Sequence, residues 1–223
     1  LDSADRVHAI YSDEMNSRVR YATNASGEWT FTTLRSDGRA LSLDVDSSDA
    51  VHVAFFRGGW FQYANNASGA WVYQEDLFDV GAYGFTALAA DAKGRAHVGL
   101  YGHTGNLQYA TNRSGAWERT TILSTDPDMT WTESMKRYVD LILDSSGTVH
   151  IAYYDRAAKT LCHAENGSGA WSVSTVDGEG DRGQFLSLAR GAGDALHVAY
   201  YDADAGDLRY ARQSPEGWVL ETV

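Results

Sequence analysis

One pattern recurs five times along the 223 residues of this chain and constrains its fold more than any other feature. An apolar run carrying a histidine (RVHAIY, AVHVAFF, RAHVGLY, TVHIAYY, ALHVAYY) is followed by a segment closing on tryptophan (YATNASGEW, YANNASGAW, YATNRSGAW, HAENGSGAW, YARQSPEGW). The histidines are His8, His52, His97, His150 and His197; the tryptophans are Trp29, Trp71, Trp117, Trp171 and Trp218. Successive histidines lie 44, 45, 53 and 47 residues apart, the period of one propeller blade per repeat. Each copy reads as four short strands, A to D. Strand A alternates, as in Leu41, Leu43, Val45, and strand B is the nearly continuous apolar run of a strand covered on both faces. Strand C carries Tyr-Ala, and strand D follows the tryptophan. Helical periodicity is absent. The expectation is an all-β chain: a single closed five-bladed β-propeller of four-stranded antiparallel blades at about 1–38, 39–80, 81–130, 131–180 and 181–223.

The spacings divide the blade into a constant and a variable side. Eight residues separate the strand C position (Tyr21, Tyr63, Tyr109, His163, Tyr210) from the tryptophan in every copy. Six separate Asp2, Asp46, Asp91 and Asp144 from their histidines. The A–B and C–D turns are therefore fixed in length, and their Asp-Ser-Ser-Gly and Asn-x-Ser-Gly residues are those tight turns require. All length variation falls in the B–C and D–A connections, which emerge together on the other face of an up-and-down ring. Binding residues concentrate on variable loops held by a rigid scaffold, so that face is the expected functional one. The first copy retains only Leu1-Asp2 of strand A, and upstream residues, another chain or a symmetry-related strand is expected to complete it.

Composition removes several classes of function. The formal net charge is −12, which repels phosphates and argues against a nucleic-acid groove or an anionic membrane surface. Apolar stretches are strand-length, so membrane insertion is not expected. Cys162 is the only cysteine, so no disulfide forms within the chain. Arginine outnumbers lysine fifteen to three on an Ala-, Gly- and Asp-rich background, which hints at a bacterial source. An extracellular or cell-envelope location is the accompanying expectation.

The turn Asn-Ala-Ser-Gly-Glu-Trp and its copies resemble a shortened Asp-box of sialidase-type propellers, with Gly two residues before Trp and Asn or Ser in place of Asp. The whole chain also resembles tandem-repeat bacterial propeller lectins, which carry one Trp-bearing motif per blade. The resemblance implies a repeat propeller with lectin-like binding. It implies no reaction, because Arg57, Arg137 and Arg182 align with no catalytic motif.

Five histidines at one strand B position stand in five separate blades and cannot converge on a metal ion; packing or inter-blade hydrogen bonding is their expected role. The anchor tryptophans and His163 are expected in the core. Asp44, Asp46 and Asp49 lack the glycine and distal glutamate of a calcium loop. Asn24, Asn66, Asn112 and Asn166 begin Asn-x-Ser sequons but share one turn, so turn formation explains them. No cofactor or metal is expected. Two tryptophans lie outside the repeat, Trp60 and Trp131, both on the variable face, and flat aromatic faces serve as platforms for sugar rings. With them the ligand-binding candidates are Arg57, Tyr83, Arg137, His103, Asp155 and Asp202, with Phe85, Lys136 and Tyr138 nearby. Carbohydrate binding is the leading reading. A glycan-active hydrolase or lyase with one pocket on this face, and a platform for a protein partner, remain the alternatives.

Overall fold

A computed structural model describes residues 1–80, 85–101, 106–124 and 138–223. Five antiparallel sheets follow in chain order. The first holds β1 (His8–Asp13), β2 (Arg18–Thr23) and β3 (Thr30–Arg35). The second holds β4 (Arg39–Val45), β5 (Val51–Arg57), β6 (Trp60–Asn65) and β7 (Val72–Asp79). The third holds β8 (Phe85–Ala90), β9 (Ala96–Tyr101), β10 (Leu107–Thr111) and β11 (Glu118–Leu123). The fourth holds β12 (Val139–Leu143), β13 (Val149–Asp155), β14 (Thr160–Glu165) and β15 (Ser172–Asp177). The fifth holds β16 (Arg182–Arg190), β17 (Leu196–Asp202), β18 (Asp207–Ser214) and β19 (Gly217–Thr222). Helix among the described residues is confined to 3₁₀ turns at Glu14–Asn16 and Ala192–Asp194, and none is long and apolar enough to cross a membrane.

The first sheet has three strands rather than the four expected. Leu1-Asp2 form only the turn into β1, where Asp2 accepts hydrogen bonds from the amides of Ala4 and Arg6 at 3.0 and 2.9 Å. In the second and fourth sheets the inner strands are bridged to the next sheet by polar side chains. Ser42 Oγ accepts from the amide of Leu88, Asp44 from that of Ala90 and Asp140 from that of Leu188, at 2.7–2.9 Å. Backbone donors on an inner strand edge are thereby satisfied without a fifth strand. Burial raises both the Asp44 and the Asp140 carboxyl, against the lowering effect of these bonds.

Four apolar clusters bind the sheets in single file. Val19, Tyr21 and Leu34 pack on Val51, Val53 and Phe55; Ala54, Phe56, Phe61 and Tyr63 on Leu88, Val98 and Leu100; Tyr101, Leu107 and Tyr109 on Leu141, Ile151 and Tyr153; Ala152, Leu161 and Val176 on Leu188, Val198 and Tyr200. Burial on both faces explains why these second strands read as unbroken apolar runs. Among the described residues no such cluster joins the fifth sheet to the first. There β17 alternates buried and exposed residues, whereas β5 and β9 are apolar and buried almost throughout. Among the described residues the packing is thus an arc of five sheets, which departs from the closed ring expected.

The anchor tryptophans also depart from expectation. Trp71, Trp117, Trp171 and Trp218 are half-buried rather than core, and Trp29 is 50% exposed. Each of the four leans on the strand C ring of the preceding sheet: Trp71 on Tyr21, Trp117 on Tyr63, Trp171 on Tyr109 and Trp218 on His163, with centroids 5.1–5.7 Å apart. They act as latches between sheets, and among the described residues no strand C ring meets Trp29.

Candidate functional site

The constant face is built of repeated structural bonds, with a recess of about 450 Å³ between the third and fourth sheets lined by Asp91, Arg95, His97, Arg113, Thr148 and Asn166. In the second sheet Asp46 accepts from the amides of Ser48 and Ala50 and from His52 Nε2 at 3.0 Å, and His52 Nδ1 lies 2.6 Å from the Tyr63 hydroxyl. Asp2–His8–Tyr21 repeats this chain, and Asp91–His97–Tyr109 does so with a longer 3.5 Å carboxylate contact. In the fourth sheet Asp144 and His150 continue to His163, while the fifth has His197 and Tyr210 with Gly191 at the aspartate position. The histidines therefore bond within their own sheet, not between blades. Burial alone would raise the Asp46 carboxyl, but hydrogen bonds from His52, Ser48 and Ala50 together hold it below the usual range. The sequon asparagines complete this face: Asn24, Asn66, Asn112 and Asn166 accept from the amides of Val7, Val51, Ala96 and Val149 at 2.7–2.9 Å. Among the described residues no group of three or more His, Cys, Asp or Glu is placed to hold a metal ion.

The opposite rim differs from junction to junction. At the junction of the first two sheets, Arg57 and Trp60 flank a two-glycine turn and pair across β5 and β6. Directly opposed residues project to one face of a sheet, and here that face, shared with Val53 and Phe55, looks toward the first sheet. Trp60 is 42% exposed. Arg57 Nε donates to Asp37 at 2.7 Å, and that bond and charge raise its already high pKa, so it stays cationic. Arg57 also lines a recess of about 460 Å³ with Arg18, Thr33, Leu34, Arg35 and Ser36. Arg35 reaches back to the second sheet, pairing with Glu75 and stacking 3.9 Å above the Tyr73 ring. Arg18 is exposed and has no ion pair among the described residues. A larger recess of about 650 Å³, lined by Ser12, Glu14, Ser17, Asp37, Gly38 and Arg39, adjoins it. The junction therefore offers an open aromatic face beside the Arg57 guanidinium, which in turn lines a recess with Arg18 and Arg35. Such a set can stack on a sugar ring and hydrogen-bond its hydroxyl or acidic substituents.

At the junction of the fourth and fifth sheets the corresponding positions hold a buried ion network. Asp202 contacts Arg182, and Arg209 Nε lies 3.3 Å from Asp177, which also accepts from the Tyr200 hydroxyl at 2.6 Å. Burial first, and the Asp177 carboxylate second, keep the Tyr200 hydroxyl protonated far above its ordinary range. Asp177, Tyr200 and Asp202 are all buried, so a sugar has no access to them. The network clamps two sheets together.

Of the sequence candidates, Arg57 and Trp60 are brought together on the open rim. Asp202 lies in the buried clamp, and Asp155 caps its own turn by accepting from the amides of Ala157 and Ala158. Tyr83, His103, Trp131 and Arg137 lie outside the described residues. Arg18 and Arg35 were not singled out by the sequence, because neither departs from an ordinary strand position; only the packing of β2 and β3 against β5 brings them beside Arg57.

Neither a protein-family model nor a curated protein sequence matches the chain. Solved structures do. The SapL1 lectin, determined with α-methyl fucoside, aligns with a TM-score of 0.69 at 12% identity over 99% of this chain and 77% of its own. A six-bladed β-propeller lectin from Aleuria aurantia, described for a novel mode of fucose recognition, aligns at 0.65 and 12% over 98% and 73%. An ulvan lyase from a new family of polysaccharide lyases aligns at 0.64 and 11% over 99% and 69%. At such identities the likeness concerns the fold: the chain is an all-β repeat propeller of the architecture these lectins use.

Proposed function

We propose that this chain is a carbohydrate-binding protein whose sugar stacks on Trp60 and is held by Arg57, with Arg18 and Arg35 lining the same recess. The observation that carries this reading is the exposure of Trp60 in register with Arg57, on the rim that bears the variable connections. A flat aromatic ring open to solvent is a platform on which a sugar ring can stack. Fold likeness to fucose-binding lectins supports a glycan ligand. The arginines favour sugars rich in hydroxyls or bearing acidic groups, since planar guanidinium groups hydrogen-bond both bidentately.

A glycan array probed with the 223-residue chain tests the reading. Retention of a defined set of glycans, abolished by Trp60→Ala, is the expected result. New reducing ends or unsaturated sugars after incubation with polysaccharide would replace it with the enzymatic reading. Binding to proteins alone would replace it with a docking platform.

A further inference from the structure

On the constant face, the fourth position of the A–B turn decides what lies between neighbouring sheets. In the second sheet that position is Asp49, and in the fifth it is Asp194. Asp49 reaches back to the first sheet, accepting from the amide and the hydroxyl of Ser3, both at 2.7 Å, with Arg6 Nη2 3.7 Å away. Asp194 reaches back to the fourth sheet in the same way, accepting from the amide of Ser145 at 3.1 Å and from its hydroxyl. Between the third and fourth sheets the position is Gly147, which brings no carboxylate. Space for one exists, because a Cβ on Gly147 would meet nothing within 4 Å. The groups that would receive it are also present. Arg95 stands at the position of Arg6, and the Ala92 amide, at that of the Ser3 amide, has no acceptor among the described residues. Arg113 adds a second guanidinium where the first, second and fourth sheets have Ala25, Ala67 and Gly167, and among the described residues it forms no ion pair.

His97 marks the same gap from beneath. Its side chain is 3% exposed and lines the recess of about 450 Å³, yet its Nε2 has no hydrogen-bond partner among the described residues. Asp91 is held by Arg95 Nε and Nη2 at 2.6 and 2.5 Å and stands 3.5 Å from His97, beyond hydrogen-bond reach. In the first sheet, where Arg6 is shared with Asp49, the matching contact from Asp2 to His8 is 3.1 Å. Every residue lining the recess is a glycine or carries a polar group. The volume exceeds what a carboxylate alone needs and suits a small polar ligand. We propose that this recess binds a sugar acid, with its carboxylate seated where Asp49 and Asp194 seat theirs at the other junctions. Arg95 and Arg113 hold the carboxylate, since planar guanidinium groups pair with it bidentately. Ser146, Thr148 and Asn166 meet the hydroxyls. Sharing Arg95 with the ligand lets Asp91 close on His97 as Asp2 closes on His8. The site lies on the face opposite Trp60 and does not rest on the rim.

The test is a titration of the isotope-labelled chain with sodium glucuronate, following the magnetic resonance signals of the Gly147 amide, Arg113 Nε and Trp60 Nε1. Glucose and sodium acetate serve as comparison ligands. Glucuronate should move the Gly147 and Arg113 signals saturably, glucose should move neither, and acetate should bind at least about tenfold more weakly. Gly147→Asp supplies the carboxylate from the chain itself. The backbone there accepts aspartate, since φ is 83° at Gly147 and 62° at both Asp49 and Asp194. That variant should keep or raise the urea midpoint and weaken glucuronate binding at least about tenfold, read at Arg113 Nε. Arg113→Gln, at an exposed turn position, should weaken it to a similar degree, read at the Gly147 amide, and decides the matter should Gly147→Asp not fold. Undiminished binding by either folded variant overturns the proposal, as does an equal response to glucose or the absence of a saturable shift. Equal affinity for acetate overturns it too, because the recess then recognises no sugar. A glucuronate response confined to Trp60 Nε1 would put the acid on the rim, overturning this site while leaving the rim reading intact.

Discussion

Trp117 meets the Tyr63 ring of the preceding sheet edge-on, at 5.2 Å between centroids and 68° between planes, while its Nε1 donates to Gln74 at 2.6 Å. The tryptophan that ends each repeat is therefore a fastener between sheets, and its value depends on having a sheet before it. Trp117→Ala removes the latch, its hydrogen bond and packing on Phe61 and Phe78. It should cost about 2–4 kcal/mol in urea unfolding, toward the lower end for a large aromatic because the ring is only half-buried. Trp29→Ala in the same chain should cost less than about 0.5 kcal/mol, as for an exposed position. Equal losses would remove the latch from the account.

His163 replaces the strand C tyrosine of the other sheets and is held down at about 4, first by burial and then by the neighbouring His150. Burial likewise lowers His97. The unfolded chain takes up a proton near pH 6.5 that native His163 refuses. Stability is therefore fully present above pH 6.5 and falls as the pH drops toward 4, by about 3 kcal/mol at most for this residue. His163→Tyr restores the hydroxyl partner that the other sheets give their histidine, and it should flatten this limb to the share of His97. Urea midpoints measured across this window check it; parallel pH profiles for the two proteins would contradict it.

The repeat was legible because its determinants are local. Asp46, His52, Tyr63 and Asn66 act within 21 residues of one another, and fixed spacing is how such a cluster shows itself in a sequence. Relations between sheets were not legible. Trp117 finds its partner 54 residues upstream, so the pattern announced an important tryptophan without saying that it would be half-exposed. The clamp of Asp177, Arg182, Tyr200, Asp202 and Arg209 draws on four strands of two sheets, and no spacing rule joins them. Trp60 and Arg57 were visible as departures from the repeat. Arg18 and Arg35 were not, since strand surfaces commonly carry arginine.

The clamp makes its own prediction. Asp202→Ala leaves the buried Arg182 with only its 4.0 Å contact to Asp177 and should destabilise by about 2–4 kcal/mol, toward the lower side of the cost of breaking a buried ion pair from one side. Adding Arg182→Met should recover part of that loss, because the under-compensated charge is then removed while Asp177 keeps Arg209 and Tyr200. Glycan binding at the Trp60 rim, three junctions away, should be unchanged by the double substitution.

The most direct test of the account is a calorimetric titration of the strongest array ligand into four proteins: the unaltered chain, Trp60→Ala, Arg57→Ala and Trp117→Ala. Binding should weaken at least tenfold with either Trp60→Ala or Arg57→Ala while their unfolding free energies in urea stay within about 0.5 kcal/mol of the parent. Trp117→Ala should show the reverse, unaltered affinity in a less stable protein. Undiminished binding by Trp60→Ala and Arg57→Ala together would contradict the central claim and move the ligand site away from this junction.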